Sequence, residues 1–139
     1  MSIEFNSHLP IGSTLTLSPG MGWNDVDMMY GSSAGAIKQM ANAAGYEVVH
    51  MIAGFDMYLV QKELLNGLCP PPFASFGLKS RFFHYCVKDP NRRGKWMDYS
   101  TYKRTGDVGL AQQAAVEQML LMRHPTDSGP SSLKCLGVV

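Results

Sequence analysis

The residues that could carry chemistry are scattered along the chain and form no recognisable metal-binding motif. The histidines and cysteines are His8, His50, His84 and His124, and Cys69, Cys86 and Cys135. Zinc sites typically present two closely spaced pairs of such ligands, and the sequence contains no Cys-x-x-Cys or His-x-x-x-His pairing. The sequence therefore predicts no metal centre, and three widely separated cysteines favour reduced thiols inside a cell over a disulfide framework.

Two glycine-containing segments invite a nucleotide-binding or a catalytic interpretation. Residues 19–22, Pro-Gly-Met-Gly, contain a Gly-x-Gly, but no strand leads directly into it and no helix with a third glycine follows, so a plain turn is favoured. Residues 31–35, Gly-Ser-Ser-Ala-Gly, meet the literal pattern of a nucleophile elbow. An elbow needs a strand running directly into it. Helix capping by Ser32 or Ser33 explains the same residues with fewer requirements.

Residues 79–104 form a basic, aromatic-rich segment. It holds eight basic and two acidic side chains, a net charge of +6, whereas the residues before it carry a net charge of −4. Interleaved rings and cations allow bases to stack while phosphates are neutralised. The same mixture arises when a subdomain buries its aromatic rings and keeps its Lys and Arg head groups in water, and this interpretation is favoured because no module signature is present. If nucleic acid or phosphate binds, Arg92, Arg93 and Lys95 are the expected contacts.

Length and composition exclude several classes of protein. The chain has 139 residues, 45% hydrophobic and 17% charged, with a formal net charge of +1, which is typical of one globular domain without a preference for acidic or basic partners. No stretch approaches about 18 consecutive apolar residues. The first residues include Glu4 and no basic region typical of a signal peptide. We therefore expect an intracellular, cytoplasmic protein that does not associate with membranes.

The pattern of apolar residues predicts an α/β protein. The predicted elements are a strand at residues 1–5, a short edge strand at 13–17, a helix begun by Ser32 or Ser33 and ended by Gly45, strands at 46–52 and 55–60, a short helical end at 61–65 and a final helix capped by Asp107 and running to 122. A tight turn joins the two strands after the first helix, so we expect them to pair antiparallel.

Taken in order, the first of these elements resemble the C-terminal half of an FkbM-type, class I S-adenosylmethionine-dependent methyltransferase domain. The matching segments are Ile3-Glu4-Phe5-Asn6, Trp23, Tyr30-Gly31-Ser32-Ser33, Gly45-Tyr46-Glu47-Val48-Val49 and Gly54-Phe55-Asp56-Met57-Tyr58-Leu59-Val60. Asp56 departs from the family pattern, which favours asparagine. The resemblance assigns residues 1–66 to the methyltransferase-like half, and leaves 67–123 as a basic, aromatic-rich extension with a terminal helix and 124–139 as a flexible tail.

The resemblance implies a partial Rossmann-like sheet that ends in an antiparallel hairpin, followed by an irregular basic extension. It places Ile3 in the fifth of seven strands, so the four preceding strands are missing, including the first two, whose loops hold the methionine and ribose of the cofactor. The implied reaction is methyl transfer from S-adenosylmethionine to an oxygen or nitrogen acceptor. We expect the chain to be a truncated form that is inactive by itself, with no cofactor-binding residue assignable in it.

Glu4, Asn6 and His8, at the carboxyl end of the first strand, are the candidates for the acceptor side of this site, with Tyr30 lining the same crevice. A buried, structural Glu4 carboxylate is the favoured alternative for that residue, and a core position is the alternative for Tyr30. An open strand edge invites association, so a sheet-completing chain or a second copy is an expected partner. A non-catalytic interaction module, or pseudoenzyme fragment, and a nucleic-acid binder remain as alternative functions.

Overall fold

A computed structural model of the chain describes residues 1–21, 30–52, 56–76 and 96–121. The strands are β1 (Ser2–Glu4), β2 (Leu15–Leu17), β3 (Tyr46–Met51), β4 (Asp56–Gln61) and β5 (Trp96–Asp98); the helices are α1 (Ala34–Ala43), α2 (Tyr99–Thr105) and α3 (Val108–Leu121). Two short 3₁₀ helices, Lys62–Leu65 and Phe73–Phe76, follow β4. The described residues therefore form a mixed α/β structure with two small antiparallel sheets.

The first sheet has three strands in the order β1-β4-β3, and β4 is antiparallel to both neighbours. Ile3 lies opposite Met57 between β1 and β4, and Val48 lies opposite Leu59 between β3 and β4. The register shifts between Val48 and His50, as at a β-bulge. The two strands predicted after the helix, and their antiparallel pairing, are thus confirmed, with the second strand ending at Gln61.

Helix α1 packs on one face of this sheet because its small and apolar residues repeat every three to four positions. The buried cluster between helix and sheet consists of Phe5, Ala34, Ile37, Ala41, Val48, Met51, Met57 and Leu59. Met57 and Leu59 alternate with the exposed Tyr58 along β4, as expected for a strand with one buried face. Helix and strands are therefore held together by apolar burial on a single side of the sheet.

Serine capping starts α1, as predicted. The Ser33 side chain accepts a hydrogen bond from the Ala36 amide over 3.3 Å and donates one to the carbonyl oxygen of Ser13 over 2.6 Å. At the other end Gly45 has φ of +80°, a conformation that favours glycine. Ser33 is fully buried. Its hydroxyl is engaged in the fold, so the nucleophile-elbow pattern of residues 31–35 reflects a helix cap.

The second sheet joins distant parts of the chain. Leu15 lies opposite Asp98 and Leu17 lies opposite Trp96, so a short strand from the N-terminal loop pairs with a strand about eighty residues later. This confirms the predicted strand near residues 13–17. Its pairing with β5 spans the predicted division at residue 66. A separate apolar cluster of Leu9, Leu15, Trp96 and Ala115 lies between this sheet and α3.

The region after residue 66 is more regular than expected. It contains β5 and α2 in addition to the predicted final helix, which begins at Val108 after Asp107 and continues to Leu121. A strand of three residues and a helix of seven are too short to produce a clear apolar period in the sequence. The predictions for Trp23, residues 53–55, most of the basic segment and the tail lie outside the described residues. None of the described helices is long and apolar enough to cross a membrane.

Asp98 connects the elements around the second sheet. One of its carboxylate oxygens accepts hydrogen bonds from the Thr101 amide over 2.8 Å and the Thr101 hydroxyl over 2.7 Å, which caps α2. The other accepts from the Thr14 hydroxyl. Gln118 of α3 accepts from the Thr14 amide over 3.0 Å. Desolvation by burial raises the pKa of Asp98, but the hydrogen bonds from Thr14 and Thr101 outweigh it, so the pKa lies below its ordinary value.

We expect Gly35→Ala to destabilise the protein. An added Cβ would overlap the carbonyl oxygen of Ser13 and lie 2.9 Å from that of Ile11, both of them backbone atoms that cannot move independently. The expected loss is about 1–3 kcal/mol in the free energy of unfolding, measured by urea denaturation. Gly12→Ala is the matched control because nothing lies within 4 Å of its added methyl group. Equal stability of the two variants would contradict the close packing of α1 on the N-terminal loop.

Ionisation of Asp98 should make the free energy of unfolding depend on pH in the acid range. Because its folded pKa is lowered, the ionised carboxylate stabilises the fold fully above the unfolded pKa, and this contribution is lost as pH falls through the folded pKa. Asp98→Asn should lower the free energy of unfolding at neutral pH by about 1–2 kcal/mol and flatten its decline in acid, measured by denaturation at several pH values. Asp107→Asn, an exposed helix cap, is the control and should change little. An unchanged acid profile in Asp98→Asn would refute this role.

Candidate functional site

The candidate residues lie where the chain leaves β1 and passes the start of α1. The backbone amide of Asn6 donates to the carbonyl oxygen of Ser32 over 2.8 Å, which joins the end of β1 to the residue that precedes the helix cap. The Leu9 amide donates to the carbonyl oxygen of Asn6 over 3.2 Å, so the chain turns directly after the strand. Polar residues 6–8 are therefore held against the amino end of α1.

Asn6 holds this region together. Its side chain is fully buried at 0% exposure. The amide nitrogen Nδ2 donates to the carbonyl oxygen of Tyr30 over 3.1 Å, and the oxygen Oδ1 accepts from the backbone amide of His8 over 3.0 Å. A buried amide without such partners would cost on the order of 1–3 kcal/mol. Asn6 thus fixes the backbone on both sides of the site and places His8 beside Tyr30.

The rings of His8 and Tyr30 meet edge to face. Their centroids are 6.3 Å apart and their planes are inclined by 88°, a geometry that aromatic pairs favour. The pKa of Tyr30 is raised above its ordinary value, first by desolvation and second by the negative charge of Glu4, while a hydrogen bond with the Ser7 side chain opposes this rise. The Tyr30 phenol therefore stays protonated at neutral pH, and the charge of the Glu4 carboxylate contributes to its raised pKa.

Glu4 is exposed to solvent, so the favoured interpretation of it as a buried structural carboxylate is wrong. It lies directly opposite Asp56 in the β1–β4 ladder, and directly opposed residues of an antiparallel pair share a sheet face. Two carboxylates side by side give this end of the sheet a negative potential. Tyr30 is half-buried and does not belong to the apolar cluster under α1.

All four candidates from the first half of the sequence thus lie in one neighbourhood. Asn6 contacts Tyr30 and His8 directly, and Glu4 acts on Tyr30 through its charge. A histidine, a phenol and a carboxylate together can accept and donate protons and can orient a polar ligand. Ser7, which the sequence analysis did not single out, belongs to the group through its bond with Tyr30; the uninterrupted polar run at residues 6–8 is the signal that could have found it.

The other expected contacts cannot be compared with this site. Arg92, Arg93 and Lys95 lie outside the described residues. Among residues 1–21, 30–52, 56–76 and 96–121, no group of three or more His, Cys, Asp or Glu side chains is arranged to hold a metal ion. Cys69 is a free thiol on the surface. The described polar groups at the end of β1 are therefore the strongest candidate site.

No known protein family, characterised protein or solved structure matches this chain.

Replacing Glu4 should change the titration of Tyr30. We expect Glu4→Gln to lower the pKa of the Tyr30 phenol, because the second cause of its rise is removed, while desolvation keeps the pKa above its ordinary value. The measurement is an NMR titration of ring-labelled tyrosine, with Tyr30→Phe used to assign the resonance. Glu63→Gln removes an exposed charge from the 3₁₀ helix after β4 and serves as the control. An unaltered Tyr30 pKa in Glu4→Gln would show that the two groups are not neighbours.

Proposed function

We propose that this chain is the C-terminal part of a methyltransferase-like domain, in which the residues at the end of β1 form the side of the crevice that receives the methyl acceptor. The reaction would transfer a methyl group from S-adenosylmethionine to an oxygen or nitrogen. The resemblance assigns most of the cofactor contacts to four earlier strands that this sequence does not contain, so full activity would require those strands.

The observation that carries the proposal is the position of β1. The resemblance requires the fifth strand to lie beside the C-terminal hairpin. All three residues of β1 pair with β4, and β3 and β4 form the antiparallel hairpin that follows α1. This arrangement supports the resemblance because an unrelated strand and hairpin could have paired in other orders or lain in separate sheets. It also leaves the second edge of β1 without a partner among the described residues.

The location of the polar group is a second line of support. In open α/β sheets, ligands bind beyond the carboxyl ends of strands. The carboxyl end of β1 is where the chain enters the turn at residues 6–9, and the amino end of α1 lies against it through the Asn6–Ser32 hydrogen bond. The cluster of Glu4, Asn6, His8 and Tyr30 therefore lies where the fold type would bind its substrate.

The chemistry of these side chains fits one end of the proposed cofactor. S-adenosylmethionine carries a positive sulfonium centre that presents the methyl group. An exposed carboxylate and two aromatic rings, those of Glu4, His8 and Tyr30, are groups that attract a cation. The same residues provide no groups that would hold the adenosine or the amino-acid carboxylate of the cofactor. The resemblance assigns those contacts to the four earlier strands. The resemblance assigns no cofactor-binding residue to this chain, but the grouping of Glu4, His8 and Tyr30 leads us to propose that they contact the methyl-bearing end of the cofactor.

The chain's own contribution to catalysis would be orientation and proton transfer. Asn6 positions the His8 backbone and the Tyr30 backbone, which holds the two rings in one arrangement. The protonated Tyr30 hydroxyl can donate a hydrogen bond to an acceptor molecule. His8 can accept the proton that an oxygen or nitrogen nucleophile loses. The cofactor supplies the electrophilic methyl group, and alignment of the nucleophile with it provides much of the rate.

A non-catalytic role in protein interaction is the second candidate function. The observation that favours it is that, within the described residues, β1 forms an edge of its sheet and Ile3 is 39% exposed. An edge strand can accept a strand from another chain. Nucleic-acid binding through residues 79–104 remains a prediction, because only the residues from Trp96 onward in that segment are described; Lys103 and Arg104 there are exposed on α2.

Calorimetric titration with S-adenosylmethionine tests the methyltransferase proposal. Because this chain would supply only part of the contacts, we expect a dissociation constant of about 10–100 µM. His8→Ala should weaken binding about threefold or more, as expected when one of several contacts is lost. His50→Ala is the matched control, since His50 is an exposed histidine on β3.

Two results of this titration would count against the proposal. Absence of binding up to about 1 mM ligand would contradict a cofactor contact in this chain and favour the interaction module or pseudoenzyme fragment. Binding that is weakened equally by His8→Ala and His50→Ala would place the ligand elsewhere on the molecule. Circular dichroism of each variant excludes unfolding as the cause.

A further inference from the structure

A run of prolines crosses the surface between the two 3₁₀ helices. Residues 69–72 are Cys-Pro-Pro-Pro, which we call the proline ridge. The ridge follows the turn at Asn66 and Gly67 and ends at Phe73, the first residue of the second 3₁₀ helix. None of the proposed methyltransferase residues belongs to it.

The conformation of the ridge follows from its sequence. A residue that precedes proline is driven away from the α-helical region toward extended or polyproline II geometry. Cys69, Pro70 and Pro71 each precede a proline, and each proline ring fixes its own φ at about −65°. Three successive prolines are one turn of a polyproline II helix, which has three residues per turn and no internal hydrogen bonds. These restrictions on φ and ψ favour polyproline II geometry along the ridge before any partner binds.

Both ends of the ridge are fixed to the folded protein. Before it, the Leu68 amide donates to the carbonyl oxygen of Leu65 over 2.8 Å. After it, the carbonyl oxygen of Pro72 accepts from the Ser75 amide over 2.8 Å and from the Ser75 hydroxyl over 2.6 Å. Phe73 packs against the core of the first sheet. The ridge thus spans two anchored points, which limits the disorder that binding would have to remove.

The Phe73 anchor has a further contact. The Lys38 ammonium lies 4.7 Å from the centroid of the Phe73 ring, within the range of a cation–π interaction. Lys38 belongs to α1, so the end of the ridge is tied to the helix as well as to the sheet. A displaced ridge would lose this contact together with the burial of Phe73.

The ridge and its flank are open to solvent. Pro71 and Pro72 are exposed, and the neighbouring apolar side chains Leu64 and Leu68 are 62% and 74% exposed. No described residue donates a hydrogen bond to the carbonyl oxygens of Cys69, Pro70 or Pro71. A surface of proline rings, free carbonyl acceptors and an adjacent leucine combines the features that polyproline-binding grooves recognise.

We propose that the proline ridge is a docking site for a domain that recognises polyproline II helices through an aromatic-lined groove. Pro71 and Pro72 would lie between the aromatic rings of the groove, whose indole or hydroxyl donors would bond to the free carbonyl oxygens. Leu68 would occupy an adjoining apolar pocket. Because the proline rings restrict the backbone of the ridge and both of its ends are anchored, the entropic cost of binding is low. This inference is independent of the proposed methyl transfer.

The test uses the full chain and three purified probes: an SH3 domain, a WW domain and an EVH1 domain. Each is immobilised and titrated with the protein by biolayer interferometry. We expect at least one to bind with a dissociation constant of about 100 µM or tighter. The double substitution Pro71→Ala/Pro72→Ala should weaken that binding about tenfold or more, and Leu68→Asn should weaken it severalfold.

Pro19→Ala is the matched control, because Pro19 is an exposed proline outside the ridge. It should leave the affinity unchanged, and thermal unfolding should show all three variants to be folded. Failure of every probe to bind below about 1 mM, or equal binding by the double variant, would overturn the proposal. Sedimentation provides the other decisive outcome: a dimer that Leu68→Asn dissociates would assign the ridge to a second copy of this chain and reject the polyproline-binding partner.

Discussion

The structure depends on the backbone contacts of the short segment that leads into α1. The carbonyl oxygen of Ser32 accepts from the Asn6 amide at the end of β1, the Ser33 amide donates to the carbonyl oxygen of Leu15 in β2, and the carbonyl oxygen of Gly31 accepts from the Leu17 amide. These bonds join both sheets to the start of one helix. A glycine at position 35 is needed because the N-terminal loop passes too close for a side chain. The segment that resembles a nucleophile elbow is in fact a structural junction.

The candidate site is a consequence of that junction. Once the end of β1 is bonded to the backbone before α1, the Asn6 amide can bridge the Tyr30 carbonyl and the His8 amide, although these residues are far apart in sequence. The chemistry of the site and the packing of the first sheet therefore share the same hydrogen bonds, and a change in one alters the other.

The sequence predicted α1 and β4 because each has a clear pattern within its own residues. The three- and four-residue spacing of Ile37 and Ala41, the serine cap and Gly45 predicted α1, and the largely apolar run from Phe55 to Val60 after a tight turn predicted β4. The β5 strand and α2 were not predictable because their stability comes from Asp98 and from pairing with distant residues. The grouping of the four candidate residues was predicted from the resemblance. The exposure of Glu4 was not predictable, because it depends on which face of the sheet is covered, and the sequence of a three-residue strand does not indicate the covered face.

The pairing of Leu15 with Asp98 has a consequence for how the chain can fold. The hairpin and α1 contact each other within a short stretch of sequence and can associate early. The cluster of Leu9, Leu15 and Trp96 must wait until both ends of a long loop meet. Contacts of such high sequence separation slow folding. During synthesis on the ribosome, Leu9 and Leu15 therefore cannot contact Trp96 and Ala115 until the second half of the polypeptide has emerged.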